Sequence, residues 1–208
     1  MGLQMVALAP AVLLVAGACT VAAAPADTEA PSGDVISVSN EGGSREGHTP
    51  TGFAGMGTGL FAGDNLNPAF PDGIGVQIYL TFELPDGVTA SDARVTSDAL
   101  TVSGTPFEDL GPLLIEPVRY SSFGPELFDI EAVGEPVECS RPDATSIACD
   151  VNEAVGLAIA EALAEVQVRL RFEQPADSDG RQDLAMFFRT DSNTNEAGIF
   201  ELELTPSD

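Results

Sequence analysis

Two stretches of this chain alternate apolar and polar residues strictly. In residues 75–84, Val76, Ile78, Leu80 and Phe82 fall on one side, and Gln77, Tyr79, Thr81 and Glu83 on the other. In residues 166–173, Val166, Val168, Leu170 and Phe172 alternate with Gln167, Arg169, Arg171 and Glu173. Successive side chains of a strand point to opposite faces, so both stretches predict strands with one face in a core and one in water. Near the end, Phe200, Leu202 and Leu204 alternate with Glu201 and Glu203 in the same way. Shorter strands are expected at 35–39, 99–103, 113–120, 128–133, 137–139, 147–150 and 184–189. Turn residues separate them, as at Pro85-Asp86-Gly87. Pro117 has no amide hydrogen to give a ladder and belongs at an edge or a bulge. Residues 40–59 read as a long Gly-rich loop. Many short strands between Gly and Pro turns predict a mainly-β chain, a single jelly-roll-like β-sandwich.

One segment changes period. Asp150 can cap a helix, with Glu153 three residues on completing a box-like start. Val151, Val155, Ile159 and Leu163 then form a narrow apolar stripe, widened by Ala158 and Ala162. One short amphipathic helix lying across the sandwich is expected here.

The first residues carry an address rather than fold. Residues 6–15 are apolar apart from Pro10 and too short to span a bilayer as a helix. They end in Ala16-Gly17-Ala18-Cys19. Small residues before a Cys resemble the lipobox of bacterial lipoproteins, which implies a lipid on Cys19 and a signal peptide over 1–18. Cleavage near Ala22-Ala23-Ala24 is the alternative. Residues 19–33, rich in Ala, Pro, Thr and acids, read as a flexible tether. Extended, it would reach on the order of 50 Å. The sandwich then occupies 34–208. The expected setting is the bacterial cell envelope, with the membrane as a partner through the lipid.

Of three Cys, lipidation of Cys19 leaves Cys139 and Cys149 as a pair. In an oxidising compartment such a pair reads as a disulfide.

Charge narrows the partners. There are 33 acidic against 8 basic residues, a formal charge of -25, and every basic residue is an arginine. This argues against nucleic acid, whose phosphates need a basic patch, and against a polybasic lipid contact. It leaves a solvated acidic surface or carboxylates gathered on a divalent cation.

The order of elements resembles the DNRLRE-type domains, jelly-roll sandwiches related to carbohydrate-binding modules. The residues that carry the likeness are Ile78-Tyr79-Leu80-Thr81-Phe82-Glu83-Leu84-Pro85 after a loop rich in Gly and Asn, and Ser97-Asp98-Ala99-Leu100-Thr101-Val102. Asp150-Val151-Asn152-Glu153-Ala154-Val155 matches the family's helix start, and Arg189-Thr190-Asp191-Ser192-Asn193 with Ile199-Phe200-Glu201-Leu202 its last hairpin. The resemblance implies a non-catalytic module acting either in envelope structure or in recognition of a cell-surface or extracellular polysaccharide.

Five constellations bear on chemistry. Asp177, Asp179 and Asp183 surround Gly180 with oxygen ligands at alternate positions, part of a calcium-loop pattern, or else an acidic turn. Asp64, Asn65 and Asn67, with Asp72 nearby, read as a structured turn or a second oxygen cage. His48, the one histidine, sits in the Gly-rich stretch, where nothing holds it as a base. Glu201 and Glu203 share a strand face and are the candidate pair for the alternative function, a secreted glycoside hydrolase. Tyr79 and Tyr120 form a small binding platform or pack at the sandwich rim. No catalytic set emerges, and the chain reads as a non-enzyme.

Overall fold

The two alternating segments pair with each other at the centre of a six-stranded antiparallel sheet. Its order is β3 (Phe53–Ala54), β2 (Gly47–Thr49), β5 (Gln77–Glu83), β11 (Glu165–Phe172), β8 (Leu113–Pro117) and β9 (Val137–Glu138). Across β5, β11 and β8, the register sets Leu80 opposite Val168, Ile78 opposite Leu170, and Leu170 opposite Ile115. The computed structural model describes residues 35–39, 47–49, 53–54, 59–66, 75–188 and 199–207, all within the unit Gly33–Asp208.

Two smaller antiparallel sheets complete the sandwich. One runs β1 (Ile36–Ser39), β13 (Glu201–Pro206), β6 (Ala90–Ser97), β10 (Ile147–Asp150); the other runs β4 (Leu60–Asp64), β12 (Asp183–Phe187), β7 (Leu100–Ser103). β6 leads directly to β7, and β7 and β6 pair in turn with β12 and β13. Between β6 and β7 Ser97 Oγ donates to the Ile199 carbonyl at 2.6 Å and accepts from the Ala99 amide at 3.3 Å. Backbone bridges Gly63–Val76 and Ser140–Ala148 join these two sheets to the six-stranded sheet.

One core lies between. Ile78, Leu80, Phe82, Val168 and Leu170 meet Val95, Leu202, Leu204, Phe187 and Phe200, all buried. Full burial of each large apolar side chain contributes roughly 1.5–3 kcal/mol. The fold class read from the alternation is therefore the one observed. Cys139 and Cys149 sit opposite each other beside the Ser140–Ala148 bridge, their sulfurs 2.08 Å apart, at disulfide distance.

Several expectations are corrected. The stretch 40–59 is not all loop, because β2 and β3 lie in it. Residues 128–133 are not a strand. Pro125 opens a 3-10 turn, Pro125–Asp129, closed by the Ile130 amide on the Leu127 carbonyl. β4 and β6 carry small inward residues, Ala62, Ala93 and Ser97 among them, which made their alternation faint. A single-turn helix α1 (Pro106–Asp109) precedes β8. The expected helix is α2 (Asn152–Ala160), which buries Ala154, Val155 and Ala158. Its cap differs from the expected box. Asp150 stands one residue too early and accepts from the Asn152 amide at 2.8 Å, while Glu153 accepts from the Glu135 amide at 3.2 Å. Leu163 lies beyond the helix end. Pro117 closes β8 past the reach of β9, which pairs only with Leu114 and Ile115, so the missing amide interrupts no ladder.

Candidate functional site

Three carboxylates converge where the β11–β12 loop meets α1. One carboxylate oxygen from each of Asp109, Asp177 and Asp183 lies within 4.8 Å of the others. Asp183 opens β12 and is only 1% exposed. Its Oδ1 accepts from the Thr105 amide at 2.6 Å, while its Oδ2 is buried without a hydrogen-bond partner among the described residues. Gly104 makes that approach possible. It holds φ +74°, and a Cβ there would stand 2.3 Å from Asp183 Oδ1. Asp109, at the end of α1, is aimed by Thr105, whose Oγ1 donates to its Oδ2 at 2.5 Å. Asp177 accepts from the Asp179 amide at 3.1 Å. Asp64 stands opposite Asp183 in the β4–β12 register and is also buried.

Of the sequence-predicted set, Asp177 and Asp183 are brought together and Asp179 is not. Asp179 turns to its own loop, taking the Arg181 amide at 2.7 Å and lying 3.7 Å from the Arg181 side chain. Asp109 takes its place. It is distant in sequence from the Gly180 turn, so only pairing of β12 with β7 brings it near. Of the second oxygen cage, Asp64 is in β4; Asn67 and Asp72 lie outside the described residues.

The tyrosines lie on the outer face of the six-stranded sheet, which is not open to water as expected. Residues 118–130 cover it. Tyr79, Arg169 and Glu116 stand side by side across β5, β11 and β8. The Tyr79 hydroxyl donates to the Leu127 carbonyl and lies 3.0 Å from Gln77 Oε1. Arg169 Nε donates to Glu116 Oε1 at 2.7 Å, and its Nη1 to the Ile130 carbonyl at 2.9 Å. Arg171 Nε reaches the same Glu116 oxygen at 2.6 Å. Burial alone would push the Glu116 carboxyl up, but hydrogen bonds and charge from Arg171 and Arg169 outweigh it and hold it below the usual range. Burial pushes the Tyr79 hydroxyl up to about 12.

Tyr79 is fully buried and offers no platform. Tyr120 is half-buried, its hydroxyl 3.0 Å from Thr81 Oγ1 and its ring edge-on to Tyr79. It lines an open groove of about 480 Å³ with Arg119, Ser121, Glu165 and Gln167. Arg119 gives Nη1 to the Val118 carbonyl and its Nη2 lies 3.8 Å from Glu161 Oε2, while its Nε is buried with no acceptor among the described residues. Gln167 is locked by a reciprocal pair with the Tyr120 backbone, at 2.9 and 3.0 Å.

The remaining candidates serve the fold or fall outside it. Glu201 accepts from Ser37 Oγ at 2.8 Å and Glu203 from Thr96 Oγ1 at 3.3 Å. His48 lies on β2, paired with Ile78, rather than in a loop. Residues 1–33, with Cys19, and 189–198 lie outside the described residues.

No family model matches the chain, and no curated protein matches it; the resemblance to DNRLRE-type domains rests on the residues that carry it.

Proposed function

We propose that this chain is a non-catalytic β-sandwich, tethered in the bacterial cell envelope through a lipid on Cys19, that holds a polysaccharide in the groove beside Tyr120. The observation that carries the reading is the groove itself. It combines the Tyr120 ring with the Arg119 guanidinium, the exposed Ser121 and the Glu165 side chain. Sugars present flat C–H faces to aromatic rings and hydroxyls to such polar groups. A charge of -25 repels acidic polymers, which favours a neutral polysaccharide. The DNRLRE-type resemblance agrees with this. The carboxylates offered for hydrolysis, Glu201 and Glu203, are bonded to neighbouring strands instead.

A glycan array probed with the full chain and with Tyr120→Ala tests the reading. Retention of neutral oligosaccharides by the wild type, lost in the folded variant, supports it. Equal retention by both, or none by either, removes the groove. For the anchor, Cys19→Ala is expected to move the protein from the detergent phase to the aqueous phase; unchanged partitioning contradicts lipidation.

A further inference from the structure

We propose that Asp109, Asp177 and Asp183 form a calcium site that clasps the β11–β12 loop to α1. The acidic cluster alone would not carry this, since exposed carboxylates often lie near one another on so acidic a chain. The second observation is Asp183. Its carboxyl is buried and lies beside the two exposed acids, yet Oδ2 has no hydrogen-bond partner among the described residues. A buried carboxylate oxygen left unpaired is costly, and structures normally supply a donor or a metal. Among the described residues no arginine pairs with Asp109, Asp177 or Asp183. Arg181, the nearest in sequence, is paired with Asp179.

Ligand chemistry points to the ion. Calcium takes oxygen ligands at about 2.3–2.6 Å in adaptable geometry. Three carboxylate oxygens within 4.8 Å of one another are compatible with such a shell. Magnesium demands about 2.0–2.1 Å and strict octahedral geometry, which suits a loop carboxylate and a helix-end carboxylate less well. An ion here would join the end of α1 to the β11–β12 loop and the first residue of β12, which lie far from α1 in sequence. The neighbouring backbone already bonds α1's end to that loop, through the Gln174 amide on the Leu110 carbonyl at 3.0 Å. The site is independent of the Tyr120 groove.

The test uses the full chain, stripped of metal with chelator. Melting is followed in millimolar calcium, in magnesium, and in sodium chloride of equal ionic strength, with calorimetric titration for stoichiometry. Calcium is expected to bind one per chain and to raise the melting temperature above both controls. At a hundredfold excess over its dissociation constant it increases the folded-to-unfolded ratio about a hundredfold. Asp109→Asn, an exposed change that leaves the core intact, is expected to weaken binding at least tenfold. Asp179→Asn is expected to keep it. The proposal is overturned if calcium and the ionic-strength control act alike. It is also overturned if Asp109→Asn binds as the wild type does, or if Asp179→Asn loses binding as fully as Asp109→Asn.

Discussion

Removing Glu116 should be among the most damaging single changes on the outer face of the six-stranded sheet. Its side chain is 3% exposed and takes the guanidinium of Arg169, itself 9% exposed, on Oε1. Glu116→Ala leaves that guanidinium buried, with the Phe128 and Ile130 carbonyls as its acceptors. Breaking a buried pair from one side typically costs about 3–5 kcal/mol. For a chain of this size that lowers the melting temperature by roughly 6–20 °C. Arg171→Ala removes a partner whose side chain is 25% exposed, and solvent screening reduces its cost to about 1 kcal/mol. The double variant Glu116→Leu with Arg169→Met removes both buried charges and should recover much of the loss. Thermal melts of the three variants give the comparison, and hydrogen exchange across 118–130 should rise in Glu116→Ala, since Arg169 ties that segment down. The pH dependence has a definite sign. Because the folded carboxyl titrates below its ordinary value, its contribution is present above the usual glutamate range and fades as pH falls through the depressed value. A Glu116→Ala cost under about 1 kcal/mol would mean that water reaches the pair and that the covering segment is not held as described.

Three other outcomes are expected. A non-reduced digest should yield the Cys139–Cys149 linked peptides, and reduction should cost about 3 kcal/mol by the chain-entropy estimate for so short a loop; free alkylation of both thiols would remove the bridge. With a charge of -25, the melting temperature should rise from low to molar sodium chloride as self-repulsion is screened, and a flat or falling trend would contradict this. Tyr79 holds its proton to about 12 in the fold against an ordinary 10.0, so its contribution is whole below the ordinary value and is lost as pH rises through the folded one; ultraviolet absorbance showing both tyrosines ionising near the ordinary value would refute its burial.

Much of the architecture was legible because large apolar residues alternate in β5, β11 and β13. What the alternation could not show is that Gln77, Thr81, Gln167, Arg169 and Glu116 are buried as well. Polar residues on alternate positions ordinarily face water. Here the segment 118–130 covers them and supplies carbonyls for Tyr79 and Arg169, a tertiary contact that no local pattern encodes. The same limit applies to the acidic cluster. Asp177 and Asp183 stood out around Gly180, but Asp109 joins them only because β12 pairs with β7 and carries Asp183 under Thr105. Asp179 looked equivalent by spacing, yet its carboxyl is used within its own turn. β4 and β6, with small residues such as Ala62, Ala93 and Ser97 among their buried positions, left too faint a hydrophobic signal to be foreseen.

If the groove beside Tyr120 holds a neutral polysaccharide, as proposed, it should do so without cleaving it. The most direct measurement incubates the polysaccharide that the full chain retains with a stoichiometric amount of protein, reading bound fraction and new reducing ends in the same samples. Saturable binding that Tyr120→Ala abolishes is expected, with no reducing ends above the protein-free control. Reducing ends that accumulate with time and protein, or binding indifferent to Tyr120, would contradict it.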